Sequence, residues 1–248
     1  MLLDEMCDYN ATLLQTSMFK DYCPNGLQVE GRAEVSRIAT AVTASLRVLE
    51  EAIEWGADAI LVHHGYFWRN EDATLVGIRK KRIEQLLRND VSLLAYHLPL
   101  DAHVELGNNA QLGKLLGFVE QGRFGEQNIA WLGVLERTQS LTQFALQLEH
   151  DLQRKPQVIG DGVKRISRVA WCSGGAQGYF EAAIAQGVDV YITGEISEQN
   201  YHMSNESGVA FIAAGHHATE RLGIQALGKH LAQNFGLEHR FFDQSNPV

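Results

Sequence analysis

Short, almost wholly apolar runs alternate along the chain with stretches in which apolar positions recur every three or four residues. Ala59-Ile60-Leu61-Val62, Val91-Ser92-Leu93-Leu94-Ala95-Tyr96 and Val209-Ala210-Phe211-Ile212-Ala213-Ala214 predict strands. Ile78, Ile83, Leu86 and Leu87 carry the spacing of a helix face. The order is strand, helix, strand, helix, strand, and it occurs twice. Strands alternating with helices predict an α/β fold of two pseudo-symmetric βαβαβ lobes, with mainly parallel sheets, right-handed crossovers and helices on both faces. In such sheets ligands bind past the carboxyl ends of the strands, so a shared cleft at those ends is expected.

The two lobes are related by an internal repeat. At an offset of 131 residues, Val35-Ser36-Arg37-Ile38-Ala39 falls on Ile166-Ser167-Arg168-Val169-Ala170, and residues 50–59 fall on 181–190. Ser36, Arg37, Ala39, Glu50, Ala52, Ile53, Gly56 and Asp58 all meet identical residues, which a duplicated unit explains. The register sets His63 opposite Gly194 and His64 opposite Glu195. Residues 128–136 read as a further strand and 141–152 as a further helix. The polar, Gly-rich stretch Gln121-Gly122-Arg123-Phe124-Gly125 then puts the expected boundary near Gly125, giving lobes of residues 1–125 and 126–248.

With 248 residues, 45% of them hydrophobic, the chain can bury a large core, and its net charge of −9 disfavours direct binding to nucleic acid. The one dense basic patch, Arg79-Lys80-Lys81-Arg82 with Arg88, reads as the solvated face of a helix, with a groove that attracts small phosphorylated ligands as the alternative. Three widely spaced cysteines, Cys7, Cys23 and Cys172, with no secretory signal at the start, predict a reducing, cytoplasmic setting. No apolar run approaches the ~18–20 residues a membrane-spanning helix needs.

Candidate chemistry sits at the ends of the apolar runs. His63-His64-Gly65 follows the first, His97-Leu98-Pro99-Leu100-Asp101 the second and Gly215-His216-His217-Ala218-Thr219-Glu220 the third. Imidazole and carboxylate suit zinc, iron, manganese or nickel, and the absence of Cys from all three clusters argues against a thiolate site. His63 and His64 would point to opposite faces within a strand, but a turn toward Gly65 lets both rings converge. His216 and Glu220, four apart at the start of a helix, stack on one face and can reach the same ion, with His217 about 100° round from them. Asp101 lies after Pro99 in an expected loop, where a structural turn is the alternative to ligation. His97 is either an acid or base, or orients Asp101 by a hydrogen bond. Ser173-Gly174-Gly175-Ala176-Gln177-Gly178 is either an anion cradle or a tight turn. Asn25-Gly26-Leu27-Gln28 reads as a turn into a short strand, while His103, His150, His202, His230 and His239 read as ordinary residues.

Asn25-Gly26-Leu27-Gln28-Val29, His63-His64, the 97–101 segment, Thr193-Gly194-Glu195 and the 215–220 segment stand together in an order that resembles the Ngg-interacting-factor family. These NIF-three-like proteins are also labelled GTP cyclohydrolase I type two homologues. The similarity spans the whole chain and matches the short form, without an inserted domain. It departs at Gly65, where many relatives carry Pro. The resemblance implies a dinuclear metal site with His63, His64, Asp101, His216 and Glu220 as ligands of two divalent ions, in a two-lobed protein that forms a toroidal hexamer.

On this reading the expected function is metal-dependent hydrolysis of a small, nucleotide-like substrate, with His97 or Glu195 moving the proton. Ring opening of the cyclohydrolase type and hydrolysis of a damaged nucleotide both fit that chemistry. The alternative is a non-catalytic metal-binding scaffold or protein-interaction protein, whose metal sites would be closed rather than open to water.

Overall fold

The computed structural model describes residues 1–248. Helix α1 (Leu3–Leu13) precedes strands β1 (Gly26–Val29) and β2 (Arg37–Thr43). Next come α2 (Leu46–Trp55), β3 (Ala59–His64), α3 (Gly77–Asn89), β4 (Ser92–Ala95) and the short α4 (Leu98–Ala102). The chain continues through α5 (Asn108–Leu115), β5 (Phe118–Phe124), β6 (Ala130–Ser140), α6 (Leu141–Leu152), β7 (Gln157–Ile159) and β8 (Arg165–Trp171). It closes with α7 (Phe180–Ala185), β9 (Val190–Thr193), α8 (Glu198–Ser207), β10 (Ala210–Ala213), α9 (His216–Phe235) and β11 (Glu238–Phe241). None of the helices is long and apolar enough to cross a membrane.

Two compact units result, Met1–Gly107 with Gly223–Ser245, and Asn108–Leu222 with Asn246–Val248. The first break therefore lies at Gly107 rather than near Gly125. The stretch that suggested a linker is built into β5, where Arg123 pairs with Trp131 and Phe124 with Ala130 of β6. The later part of α9, together with β11, belongs to the first unit.

In the first unit the sheet order is β1-β4-β3-β2-β11, parallel throughout except for β1 against β4. Ile60 and Val62 of β3 pack with Val48, Leu49 and Ala52 of α2 and Ile83 and Leu86 of α3. Ala59 and Leu61 face the other way, toward Leu3 and Met6 of α1 and Ile224, Leu227 and Leu231 of α9. Burial on both faces is why this strand has no polar alternation, and each large side chain so buried contributes roughly 1.5–3 kcal/mol.

In the second unit the order is β5-β6-β8-β9-β10-β7, with β8, β9 and β10 parallel and the flanking pairs antiparallel. Val169, Trp171, Val190, Ile192, Ala210 and Ile212 share one core with Leu112 of α5 and Phe144 and Leu148 of α6. A Cβ at Gly113 would stand 2.8 Å from the Trp171 ring, so α5 approaches β8 closely only because that residue is glycine.

Each unit contains the repeated βαβαβ core, and the repeated identities share a physical task. Asp58 Oδ2 accepts from the Ser36 and Arg37 amides, each at 2.9 Å, and Asp189 Oδ2 accepts from Ser167 at 2.8 Å and Arg168 at 2.9 Å. Arg37 donates to the Trp55 carbonyl at 3.5 Å and Arg168 to the Gln186 carbonyl at 2.9 Å, each just before a glycine in the left-handed region, Gly56 at φ 86° and Gly187 at φ 67°. One aspartate and one arginine thus tie a helix end to the start of two strands, in the same way in both units.

Candidate metal centre

In the first unit His63 and His64 end β3, and His97 and Asp101 lie just past the end of β4. His63 is fully buried, and its Nδ1 stands 2.9 Å from the Tyr96 carbonyl. A carbonyl only accepts, so Nδ1 carries the proton and Nε2 the lone pair. That Nε2 is 3.5 Å from Asp101 Oδ2. Thr43 Oγ1 meets His64 Nδ1 at 3.1 Å. The His63 and His64 rings are 4.6 Å apart, His97 lies 5.1 Å and 5.8 Å from them, and one donor atom from each of the three falls within 4.8 Å of the others.

Asp101 is in the helix α4, not in the loop expected after Pro99. Pro99 occupies the first turn, where its missing amide has no helical partner, and the His97 carbonyl accepts from the Asp101 amide at 3.1 Å. His97 therefore supports Asp101 through its backbone. The His97 side chain instead meets Asp21, with Nδ1 to Oδ1 at 2.7 Å.

The Asn25 to Gln28 segment does more than turn the chain. Asn25 Oδ1 accepts from the His97 amide at 2.7 Å, and Gln28 Oε1 accepts from the Tyr66 amide at 2.7 Å while its Nε2 donates to the Tyr66 carbonyl at 3.1 Å. A Cβ at Gly65 would fall on Gln28 Oε1. The loop leaving the histidine pair is thereby clamped from the side.

In the second unit His216 opens α9 and Glu220 lies one turn on, with His216 Nε2 3.2 Å from Glu220 Oε2. Glu195 Oε1 meets His216 Nδ1 at 2.6 Å, and Gln177 Nε2 donates to Glu195 Oε2 at 3.2 Å. Burial alone would lower the His216 pKa, but the hydrogen bonds and charges of Glu220 and Glu195 outweigh it and raise the value to about 9. Two carboxylates set against one imidazole make this a place that favours positive charge. The His217 amide donates to the Val248 carbonyl at 3.2 Å.

In the glycine-rich segment three backbone amides are already engaged, as in a tight turn. The amides of Ser173, Gly174 and Ala176 donate to Asn109 Oδ1, Thr219 Oγ1 and Thr193 Oγ1, at 2.8, 3.0 and 3.2 Å. Its glycine serves a steric purpose, since a Cβ at Gly174, already at φ 69°, would fall on Glu220 Oε1. The histidines read as ordinary have structural partners: His230 Nε2 meets Tyr9 Oη at 2.6 Å, and His239 Nε2 meets Thr40 Oγ1 at 2.8 Å.

The donors are imidazole nitrogens and carboxylate oxygens, which fits a hard or borderline divalent ion. Sequence reasoning missed Asp21, whose only signal was the turn-forming Asp21-Tyr22-Cys23-Pro24-Asn25 stretch beside the Asn25-Gly26 motif.

The family profile described as Duf34/NIF3 (NGG1p interacting factor 3) matches residues 1–247. A protein named "GTP cyclohydrolase 1 type 2 homolog" from Neisseria meningitidis serogroup B is 57% identical over 235 residues, covering 95% of this chain and 94% of its own. One of the same name from Escherichia coli K12 is 49% identical over 236 residues, covering 95% of each. Among solved structures, protein ybgI, described as of unknown function, matches with a TM-score of 0.97 at 46% identity over 100% of both chains. TTHA1606 from Thermus thermophilus matches with a TM-score of 0.92 at 34% identity, again over 100% of both. With a profile match over nearly its full length and relatives at such identity, this chain belongs to the Duf34/NIF3 (NGG1p interacting factor 3) family.

Proposed function

We propose that this protein is a metal-dependent hydrolase for a small, nucleotide-like substrate, with His63, His64, Asp101, His216 and Glu220 as ligands of two divalent ions. The observation that carries the reading is a shared orientation. Each of the three candidate histidine ligands has Nδ1 engaged, His63 by the Tyr96 carbonyl, His64 by Thr43 and His216 by Glu195, which fixes the orientation of each ring. Ligating histidines are oriented in this way by a partner on the other ring nitrogen. Five protein donors spread over two ions leave positions open to water, as catalytic rather than structural sites do.

When bound, such ions act as Lewis acids and bring a water's pKa to about 7, so hydroxide is supplied at neutral pH. The protein's own groups do the rest. Glu195 holds the His216 ring, and its 2.6 Å contact there favours an orienting part over the proton transfer that the sequence allowed. His97, its ring beside His63 and His64, is the group that moves a proton. The relatives named as GTP cyclohydrolase 1 type 2 homologues make purine ring opening one reaction to test, with hydrolysis of damaged nucleotides as the other. A cytoplasmic homo-oligomer, a toroidal hexamer by resemblance, belongs to the same proposal.

The test is elemental analysis together with turnover of a panel of nucleotides, modified nucleotides and phosphoesters. About two ions per chain are expected, with activity abolished by chelation and restored by metal. Metal-replete protein that turns over no member of the panel would replace the hydrolase with the scaffold reading.

A further inference from the structure

Asp21 is a buried carboxylate outside the donor set, its side chain only 3% exposed. Oδ1 accepts from the Tyr22 amide at 2.6 Å and meets His97 Nδ1 at 2.7 Å; Oδ2 accepts from Asn25 Nδ2 at 2.8 Å and the Leu98 amide at 3.0 Å. Asn25 returns through its other amide atom, Oδ1, to the His97 amide at 2.7 Å. Burial alone would raise the Asp21 pKa, but the hydrogen bond and charge of His97, then the hydrogen bonds from Asn25 and Tyr22, hold it below the ordinary carboxylate value.

An ionised carboxylate is an acceptor only. The close Nδ1 contact therefore requires Nδ1 to carry the proton, and the remaining lone pair belongs to Nε2. Trp68 packs edge-on against the His97 ring at 5.0 Å and Tyr22 lies at 6.4 Å, so the ring is confined from two further sides. The His63 and His64 rings stand 5.1 and 5.8 Å from it.

We propose that Asp21, seated by Asn25, is a positioning residue that fixes His97 as the Nδ1–H tautomer and reserves the Nε2 lone pair for the chemistry at the histidine pair. The use of that lone pair to take and return a proton rests on the hydrolase reading; the tautomer and its cause do not. This arrangement gives the Asn25 motif a task that a turn alone would not require. Its side chain and that of Asp21 form one hydrogen-bonded unit across the backbone of His97.

The test uses the full chain, zinc-loaded and labelled with 15N-histidine, in long-range proton–nitrogen correlation spectra. The His97 signals are assigned by their loss in His97→Gln. Wild type should show His97 protonated at Nδ1 and bare at Nε2. In Asp21→Asn, whose amide can donate to Nδ1, the pattern should switch toward Nε2–H with zinc content unchanged. A wild-type His97 protonated at Nε2 overturns the proposal, and this measurement decides the matter even if the variant fails to fold. A folded Asp21→Asn with an unchanged His97 pattern overturns it as well. With a substrate in hand, Asp21→Asn should lower kcat about 10²- to 10⁴-fold at little change in KM. The expected tautomer in a protein that turns over nothing would reject the hydrolase reading while upholding the role of Asp21.

Discussion

Replacing Gly174 by alanine separates backbone strain from damage to the candidate ligand. Gly174 is at φ 69°, and a side chain in that left-handed region costs roughly 1–2 kcal/mol. Gly187, at φ 67°, carries the same backbone cost, but its Cβ would meet nothing nearer than Arg168 Nη1 at 3.9 Å. A Cβ at Gly174 would instead fall on Glu220 Oε1, in a residue only 2% exposed. Gly187→Ala should lose thermal stability by the backbone cost alone, about 2–4 °C for each kcal/mol, and Gly174→Ala by more, since its clash adds roughly 1–3 kcal/mol. Only Gly174→Ala should lose metal affinity, by at least the ~10- to 100-fold seen when the support of a ligand is removed. Calorimetry gives the first quantity and competition with a chromophoric chelator the second. Equal metal affinity in the two variants would refute the placement of Glu220 as a ligand whose seat depends on that glycine.

Glu220→Ala should remove at least one ion by elemental analysis, while His230→Ala, which breaks only the 2.6 Å contact with Tyr9, should leave metal content at the wild-type value. Asp58→Ala and Asp189→Ala should each strand two backbone amides and cost about 1–3 kcal/mol in denaturant unfolding; an effect near zero in both would show that the duplicated clamp is dispensable. Burial, with the charge of Asp21 beside it, pushes the Cys23 thiol up to about 12, so iodoacetamide at pH 8 should leave Cys23 unmodified in native protein and label it in denaturant, as read by peptide mass. Burial, and then the charge of Lys229, lower the His239 pKa below its unfolded value of about 6.5. Its neutral form therefore contributes stability above that pH, which is lost as pH falls toward the folded pKa, and His239→Gln should flatten this part of the stability profile.

The strands that carry the candidate ligands were legible because their burial on both faces leaves a signature in local composition, as Ala59 to Val62 shows. His216 and Glu220 were legible because helical spacing alone puts them together. Asp21 was not, since its contact with His97 spans 76 residues of chain and no periodicity links the two. The division into units was misplaced for a related reason. A run such as Gln121 to Gly125 looks like a linker until a partner strand supplies its hydrogen bonds, and the return of residues 223–245 to the first unit depends on packing that has no local trace. The glycine-rich loop after β8 was readable as a turn, but its steric purpose required the position of a glutamate 46 residues later (174 to 220).

The paired aspartate clamps lie where the parallel strands begin, whereas the candidate ligands lie where they end. After a duplication, these two ends come under different demands. A residue that holds the scaffold together is needed in both copies, so Ser36, Arg37, Gly56 and Asp58 recur as Ser167, Arg168, Gly187 and Asp189. A residue that holds a ligand need serve only one, and at the opposite end His63 and His64 face Gly194 and Glu195 in the repeat register. Distance along the strand thus insulates the chemistry from the architecture, and the rim of either copy can be rewritten without disturbing what keeps it folded.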